Sequence, residues 1–241
     1  MTEHRTDAAN GTGKRVAIVT GASRGLGLEL TKRLVADGWH VIADARGASD
    51  LRGALAPSED RATAVAGDVT DPAHRTRLVA MARERGQLGL LVNNASSLGT
   101  TPLPELQRYS VDDLREVYET NVFAPLALIQ ACLPALRASG GAIVNISSDA
   151  AVEGYSGWGG YGSSKAALEQ LSRVLAEENP QVRVYWVDPG DMNTRMQQDA
   201  YPGEDVSDRP PPAASVPGIA RLIAERAPSG RYHARDESES T

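Results

Sequence analysis

Short runs of apolar residues alternate along this chain with longer stretches in which apolar residues recur every three or four positions. The short runs are rich in β-branched residues, which predicts strands. The predicted strands span residues 15–20, 40–45, 62–66, 88–93, 141–147, 182–188 and 231–234. Because strands and helical stretches alternate in this way, the pattern is typical of an α/β protein.

The stretches between these runs predict amphipathic helices. Leu26, Leu30 and Leu34 recur at four-residue spacing, so we expect a helix over 25–37 that ends before Gly38. Another helix begins at Asp71-Pro72, where proline is tolerated in the first turn. Further helices are expected over 111–136, with a kink at Pro125, and over 161–178 and 218–226.

The strands are apolar almost throughout, which favours a parallel sheet covered by helices on both faces. The sequence therefore predicts a three-layer α/β fold with a doubly wound parallel sheet of about seven strands. We expect one domain over 14–234, with flexible tails over 1–13 and 235–241. Residues 200–217 are rich in proline and acidic residues, which predicts an irregular surface loop that acts as a substrate lid.

Charge and composition limit the kinds of molecule that we expect this protein to bind. The 241 residues are 41% hydrophobic and carry a net charge of −6, which argues against nucleic acid or an anionic membrane as the main partner. Cys132 is the single cysteine, so an internal disulfide is excluded. The four histidines are scattered, so we expect no metal site. No apolar run has the length of a membrane span and residues 1–13 are polar, so we expect a cytoplasmic protein.

A glycine-rich segment lies between the first strand and the first helix. Residues 20–27 read TGASRGLG, and their three glycines allow the backbone to turn tightly and to approach a ligand closely. The helix that follows offers free N–H groups to a phosphate. Two alternatives are a purely structural turn and the nucleophile elbow of a hydrolase, since Gly21 to Gly25 also fits G-x-S-x-G.

A phenol and an ammonium group are expected on one face of a later helix. Tyr161 and Lys165 are four residues apart, and Lys165 is one of three lysines against 22 arginines. A nearby positive charge stabilises a phenolate, so the pair is a plausible acid–base unit, the alternative being an ordinary surface pair. Ser148 follows the fifth strand, at the edge of a parallel sheet where ligands bind, although a serine there is also a common strand end.

Together with several shorter motifs, these residues resemble the short-chain dehydrogenase/reductase family over residues 15–194. The shorter motifs are Asp68-Val69, Asn93-Asn94-Ala95, Asn121-Val122, Ser147-Ser148 and Pro189-Gly190. The resemblance implies a Rossmann-type fold and an enzyme that transfers hydride between a nicotinamide cofactor and a carbonyl or alcohol carbon.

The resemblance also implies individual roles. Tyr161 gives the proton in reduction, Lys165 holds the nicotinamide ribose and lowers the tyrosine pKa, and Ser148 polarises the substrate oxygen. Asn121 kinks its helix and anchors a proton-relay water. Asp68 and Asn94 contact adenine and ribose, and Thr194 orients the nicotinamide amide. The residues expected to bind the cofactor are Gly21, Ser23, Arg24, Gly25, Leu26, Gly27, Arg46, Asp68, Val69, Asn94, Ala95, Tyr161, Lys165, Pro189, Gly190 and Thr194.

The end of the second strand bears on which cofactor is bound. A carboxylate there binds the ribose hydroxyls of NAD, whereas an arginine binds the 2′-phosphate of NADP. Against the family pattern, Ala45 takes the acidic position and Arg46 the phosphate-binding one, while Asp44 falls one residue early and should point the other way. We therefore expect NADP(H), assisted by Arg24, with NAD(H) as the alternative.

Some positions depart from the family pattern. Ser96 stands where the family usually has glycine, Asp191 places an acid beside the expected nicotinamide site, and the usual glycine-rich C-terminal end is missing. Tyr155, Trp158 and Met192 are candidates to line the substrate pocket, which would suit an apolar or aromatic carbonyl compound.

Three functional hypotheses remain. The first is an NADP-dependent ketoreductase or alcohol dehydrogenase that assembles as a homodimer or homotetramer through the helices at 111–136 and 161–178. The second is a non-catalytic dinucleotide sensor or partner-binding protein on the same fold. The third is the hydrolase, which would need one of His40, His74 or His233 near Ser23.

Overall fold

The computed structural model describes residues 14–236, so the predicted tail at 1–13 and most of the tail at 235–241 lie outside the described residues. Seven parallel strands form one sheet in the order β3-β2-β1-β4-β5-β6-β7. They are β1 Arg15–Val19, β2 His40–Ala45, β3 Ala62–Ala66, β4 Gln87–Asn93, β5 Ala142–Ile146, β6 Arg183–Asp188 and β7 Gly230–His233. The predicted α/β class and the seven strands are confirmed.

Helices cover both faces of the sheet. They are α1 Gly25–Ala36, α2 Ala48–Leu55, α3 Pro72–Arg85, α4 Val111–Tyr118, α5 Ala124–Ser139, α6 Gly159–Glu178, α7 Arg195–Ala200 and α8 Val216–Glu225. Because side chains alternate along a strand, Ala17 and Val19 of β1 face one core with α1, α2 and α8. Val16 and Ile18 face a second core with α3 and α5.

Two short helices were not predicted. Helix α2 buries only Leu51 and Leu55, and α7 has six residues, so neither offers the repeated apolar spacing on which the prediction rests. The predicted irregular loop at 200–217 consists mainly of turns, but Pro212–Ser215 forms a 3₁₀ turn and leads into α8. That helix begins two residues earlier than predicted.

The long helical stretch is interrupted, but not by a break at Pro125. A π-helical turn spans Glu119–Phe123, and Pro125 lies in the first turn of α5, where a missing N–H group costs little. Asn121 lies in this π-helical turn, which holds one residue more than an α-helical turn, and its side chain is buried in the protein interior. By length and composition alone, Val111–Ser139 could cross a membrane, yet Leu128 and Leu136 pack in the second core, as in a soluble core helix.

The strand order places the site. The chain adds strands outward from β1 to β3 and then returns to β4 on the other side of β1, so the direction in which strands are added to the sheet reverses between β1 and β4. In such sheets, ligands bind beyond the carboxyl ends of the strands at this point. The loops that follow β1, β4, β5 and β6 all leave this edge of the sheet, which brings the predicted motifs together.

Candidate active site

The glycine-rich loop joins β1 to α1 in a conformation that only glycine adopts easily. Gly21 and Gly25 have φ values of +67° and +56°. At Gly27 a Cβ atom would lie 2.3 Å from the Gly21 carbonyl oxygen, so no side chain fits. Ser23 and the exposed Arg24 form the rim of the loop, and Leu26 and Gly27 are buried at the start of α1.

The first turn of α1 presents unsatisfied donors. No side chain caps this turn, because its N-cap residue, Arg24, makes no side-chain cap hydrogen bond. Uncapped N–H groups at a helix start attract a phosphate, as does the positive end of the helix dipole. The local geometry therefore fits the pyrophosphate of a dinucleotide.

The loop after β4 holds the glycine loop in place. The Thr20 hydroxyl oxygen accepts the N–H groups of Asn94 and Ala95, each at 3.0 Å. The Asn94 Nδ2 atom donates to the carbonyl oxygens of Thr20 at 2.9 Å and Gly21 at 3.1 Å. The side-chain amide of Asn94, expected to contact the cofactor, is therefore engaged with the loop itself. Sequence reasoning missed Thr20, although its place directly before Gly21 was a usable signal.

The end of β2 separates the two charged residues found there. Asp44 is 2% exposed and its Oδ1 lies 2.6 Å from His74 Nε2. Arg77, which can only donate, lies 2.9 Å from His74 Nδ1, so the histidine proton is on Nε2 and points at Asp44. Burial raises the pKa of Asp44, and the hydrogen bond from His74 opposes this rise. The Asp44 carboxylate is thus sequestered, as strand alternation predicts.

Arg46, in contrast, is exposed just beyond the strand. Asp68 lies close to Arg46. The Asp68 carboxylate accepts hydrogen bonds from the backbone N–H and the hydroxyl of Thr70, each at 2.8 Å. Partial burial acts to raise the pKa of Asp68, but these hydrogen bonds and the charge of Arg46 outweigh it and lower this pKa. Val69 is buried beside Asp68. The guanidinium of Arg46 is therefore exposed just beyond β2, where a ligand can reach it.

Tyr161 and Lys165 lie on one buried face of α6, as predicted. The Lys165 Nζ atom is 5.4 Å from the centre of the Tyr161 ring and donates to the Ile146 carbonyl oxygen at 2.8 Å. Burial lowers the pKa of Lys165 to about 8. The structure gives this ammonium a single hydrogen-bond partner, which leaves donors for ribose hydroxyls and thus fits a nicotinamide nucleoside.

The Tyr161 hydroxyl is set in a mixed environment. Burial raises the pKa of Tyr161, the hydroxyls of Ser96 and Ser148 act to lower it, and the charges of Asp188 and Asp149 raise it further. The net effect keeps the phenol protonated at neutral pH. The lowering by Lys165 that the family resemblance implies is not among these effects, so it stays a prediction for the cofactor-bound protein.

Asn121 holds the loop after β4 through its side chain. Its Oδ1 atom accepts the Ser97 N–H at 2.8 Å and the Ser96 hydroxyl at 3.1 Å. Its Nδ2 atom donates to the Ser97 carbonyl oxygen and to Ser164 Oγ, both at 2.9 Å. Ser164, missed from sequence, directly precedes Lys165, so Asn121 connects this loop to the helix that carries Tyr161.

The loop after β6 closes the site from the other side. Gly190, with a φ of +70°, follows the buried Pro189 and donates its N–H to the Asp188 carboxylate at 2.8 Å. Thr194 caps α7 by accepting the Gln197 N–H at 3.2 Å. Its methyl group lies 3.7 Å from the position of a Cβ on Gly25, so this loop and the glycine loop face each other.

A buried ion network supports Ser148 from behind. Arg231 on β7 donates to the Ser148 carbonyl oxygen at 3.2 Å and to Glu169 Oε1 at 3.0 Å, and lies 3.6 Å from Asp188. Ser147 donates to the same Glu169 carboxylate at 2.6 Å. No sequence signal indicated this network, because Arg231 and Ser148 are separated by 83 positions.

A cavity of about 250 Å³ opens beside Tyr161 and Ser148. Tyr155, Trp158 and Met192 line it, which agrees with the expectation from sequence. Of the predicted lid at 200–217, only Tyr201 contributes to its walls. The carboxylates of Asp149, Asp188 and Asp191 also line the cavity, so its walls are acidic as well as aromatic.

The described histidines do not support a hydrolase. His40 pairs with Thr63, His74 with Asp44 and His233 with Asp188, and none is bonded to Ser23. Within residues 14–236, no group of histidine, cysteine or acidic side chains has the geometry to hold a metal ion.

The lowered pKa of Lys165 gives a testable pH dependence. The lysine binds its proton below about pH 8 in the folded protein but below about pH 10.5 in the unfolded chain. Between these values the unfolded chain binds more protons, so folding stability from this group rises with pH. We therefore compare the unfolding free energies of the wild type and of Lys165→Met by denaturant titration between pH 8 and pH 10.5. Across this window we expect the free energy of the wild type to rise relative to that of the variant by up to ~3 kcal/mol.

Lys32→Met is the matched control for this experiment. Lys32 is half exposed in a surface pair with Glu29, so its removal should shift stability by less than ~0.5 kcal/mol in the same pH window. A stability difference between the wild type and Lys165→Met that does not change from pH 8 to pH 10.5 would contradict the lowered pKa.

Comparisons with known proteins agree with this geometry. The family model of the short chain dehydrogenases matches residues 15–205. The chain is 38% identical to sepiapterin reductase of Mus musculus over 79% of each sequence, and 35% identical to benzil reductase of Saccharomyces cerevisiae over 77% of this chain and 74% of the relative. A solved short chain dehydrogenase of Shigella flexneri, complexed with NADP, is 28% identical, with a TM-score of 0.85 over 92% of this chain and 97% of that chain. This protein therefore belongs to the short chain dehydrogenases, a family of oxidoreductases that bind a nicotinamide dinucleotide.

Proposed function

We propose that this protein is an NADP(H)-dependent oxidoreductase that interconverts a ketone or aldehyde with an alcohol, with Tyr161 as general acid and base. One observation carries the proposal. The hydroxyls of Tyr161 and Ser148 line the same cavity, and the buried ammonium of Lys165 lies beneath the Tyr161 ring. A carbonyl oxygen in this cavity would meet two hydroxyl donors, which is the arrangement that carbonyl reduction requires.

Each residue then has a definable task. The Ser148 hydroxyl, which donates to Asp149 in this structure, turns to donate a hydrogen bond that polarises the carbonyl. Tyr161 transfers its proton to the oxygen as negative charge develops there. The protonated phenol at neutral pH is the form that reduction needs. Lys165 stabilises the phenolate that remains, and Asn121 keeps the neighbouring loop and α6 in register through Ser97 and Ser164.

The cofactor would lie across the carboxyl edge of the sheet. The uncapped start of α1 and the loop of Gly21 and Gly25 would take its pyrophosphate, and Lys165 its nicotinamide ribose. Pro189, Gly190 and Thr194 would flank the nicotinamide, and Asp68, Val69 and Ala95 the adenosine half. When bound, the cofactor supplies the hydride.

Cofactor preference would be decided at the end of β2. Arg46 is exposed there, while Asp44 is sequestered by His74 and Arg77, so no carboxylate of β2 is available to bind ribose hydroxyls or to repel a phosphate. This arrangement favours NADP(H), with Arg24 as a second contact and NAD(H) as the alternative.

The same fold could serve a non-catalytic dinucleotide sensor. A sensor would need Lys165 to hold the ribose, but it would not need the hydroxyl of Tyr161, which is costly to bury and contributes little to dinucleotide affinity. This cost favours catalysis over sensing. The cytoplasmic location expected from the sequence is part of the same proposal.

Assembly as a homodimer or homotetramer is also proposed. An apolar groove runs between α5 and α6, the two helices expected to pair between subunits. Ile129 and Leu168 line it, and Val174 is 44% exposed at its edge. An apolar surface of this kind is typical of a protein–protein interface.

Replacement of Tyr161 by phenylalanine tests the mechanism. The variant keeps the ring but loses the transferable proton, so we expect kcat for ketone reduction to fall by ~10³-fold. Binding of NADPH, followed by nicotinamide fluorescence, should change by less than about twofold, since this hydroxyl contributes little to dinucleotide affinity. Tyr118→Phe on α4 is the control. Turnover retained in Tyr161→Phe would contradict the proposal.

Replacement of Arg46 by alanine tests the cofactor preference. Loss of a charge-assisted contact with the 2′-phosphate should raise the Kd of NADPH about tenfold to a hundredfold, while the Kd of NADH stays nearly constant. Arg52→Ala, on the exposed side of α2, should leave both values unchanged. If NADH binds the wild type as tightly as NADPH at the same ionic strength, the preference is wrong.

A charge in the groove tests the assembly. Val174→Arg places a guanidinium at the edge of the apolar groove, so we expect the oligomer to dissociate to monomers in light scattering. Val152→Arg, at a more exposed valine in the loop after β5, should keep the wild-type mass. A monomeric wild type would contradict the proposed assembly.

A further inference from the structure

We propose that the substrate of this cavity carries a positively charged nitrogen group, which binds between the carboxylates of Asp149 and Asp191. The inference rests on the proposed carbonyl–alcohol function. The cavity already contains the hydroxyls of Ser148 and Tyr161, so the question is which charge the substrate carries. Among the residues that the structure describes, no lysine or arginine lines this cavity, whereas three aspartates do.

Asp149 provides the first negative charge, directly beside the reacting centre. Its Oδ1 atom accepts the Ser148 hydroxyl and the Ala150 N–H, both at 2.8 Å, and its Oδ2 atom accepts the Tyr155 hydroxyl at 3.0 Å. These donors are all neutral. No cation among residues 14–236 forms an ion pair with Asp149, so its charge is open to a ligand.

Asp191 provides the second charge from the facing loop. It is exposed, and its Oδ1 atom accepts only the neutral Gln197 amide at 3.2 Å. Arg209 lies 4.0 Å from Oδ2, at the limit of an ion pair, and is shared with Asp208 at 3.7 Å and with the ring of Tyr201. The guanidinium of Arg235 also contacts this residue, at the Asp191 backbone carbonyl oxygen. The negative charge of the Asp191 carboxylate is therefore only partly compensated.

Asp188 differs from these two and is left out of the proposed site. It is 4% exposed and lies 3.6 Å from Arg231 and 3.3 Å from His233, so its charge has partners within the protein. The two aspartates of the loops thus account for the uncompensated negative charge of the cavity.

Aromatic rings complete the environment of a cation. Trp158 packs edge-on against Tyr161 at 5.6 Å and tilts against Tyr201 at 6.0 Å, and all three line the cavity. Ring faces attract cations, and an ammonium group between rings and carboxylates gains from both. An uncharged apolar group would instead displace water from the two carboxylates without offering a hydrogen bond or a charge in its place, which is unfavourable.

The charge of such a substrate would also act on the reaction. The negative charges of Asp149 and Asp188 oppose ionisation of Tyr161. A cation against Asp149 offsets part of this effect, so a charged substrate makes the proton of Tyr161 easier to transfer than a neutral one does. Binding preference and turnover should therefore favour the same substrates.

A pair of isosteric ligands isolates the charge. One is an aryl alcohol whose side chain ends in a dimethylammonium group, and the other carries an isopropyl group in its place. Their binding is measured by isothermal titration calorimetry with the protein alone and with NADPH present, a mixture in which an alcohol cannot react. We expect the cation to bind about tenfold or more tightly at low salt, and this preference to fall as salt is added.

Variants locate the effect. Asp149→Asn and Asp191→Asn should each reduce the preference about threefold or more, and the double variant should abolish it. Glu153→Gln removes the same charge from the same loop but lies outside the cavity lining, so its preference should stay within about twofold of wild type. A ratio between two ligands is unaffected by a general loss of affinity in a variant.

The outcomes separate this inference from the proposed function. Equal binding of the two alcohols, or tighter binding of the neutral one, overturns the charged substrate, as does a preference that survives in the double variant. Oxidation of NADPH is followed separately with the two corresponding ketones. If neither ketone is reduced while the cationic alcohol is still preferred, the cation site stands and the carbonyl–alcohol function is wrong.

Discussion

The hydrogen bond from the Lys165 ammonium to the Ile146 carbonyl oxygen fixes the geometry on which the whole site depends. It joins helix α6 to the end of strand β5, and Ser148 lies only two residues beyond that carbonyl. This buried contact therefore holds the helix that carries Tyr161 against the strand that leads to Ser148. A buried charge is expensive, and the lowered pKa of Lys165 is the measure of that expense.

Local patterns explain how much of the fold the sequence predicts. The strands and the longer helices follow from apolar spacing, and Gly21 or Tyr161 can be recognised within a few neighbouring residues. Contacts between distant segments leave no such trace. The pairing of Asp44 with His74 and of Arg231 with Glu169 depends on how the sheet is assembled, and α7 is too short to show a period.

Charge is distributed differently in the two halves of the site. In the half formed by β1 to β3, the acidic Asp44 is withdrawn into the protein and Arg46 is presented, which suits an anionic ligand. In the half formed by β5 and β6, Asp149 and Asp191 are presented and Arg231 is withdrawn. Arg46 at one end of this sheet edge and Asp149 and Asp191 at the other thus present side chains of opposite charge.

The contact between Arg231 and the Ser148 carbonyl oxygen has a consequence for biosynthesis. A ribosome delivers the chain from its N-terminus, so the glycine loop, the first six strands and α6 are all made before β7. During this interval Glu169 and Asp188 lack their guanidinium partner, and the nascent protein holds two carboxylates without a counter-charge. The half of the site beside β5 and β6 is therefore completed only when the seventh strand docks, and the core around α1 only when α8 has been made.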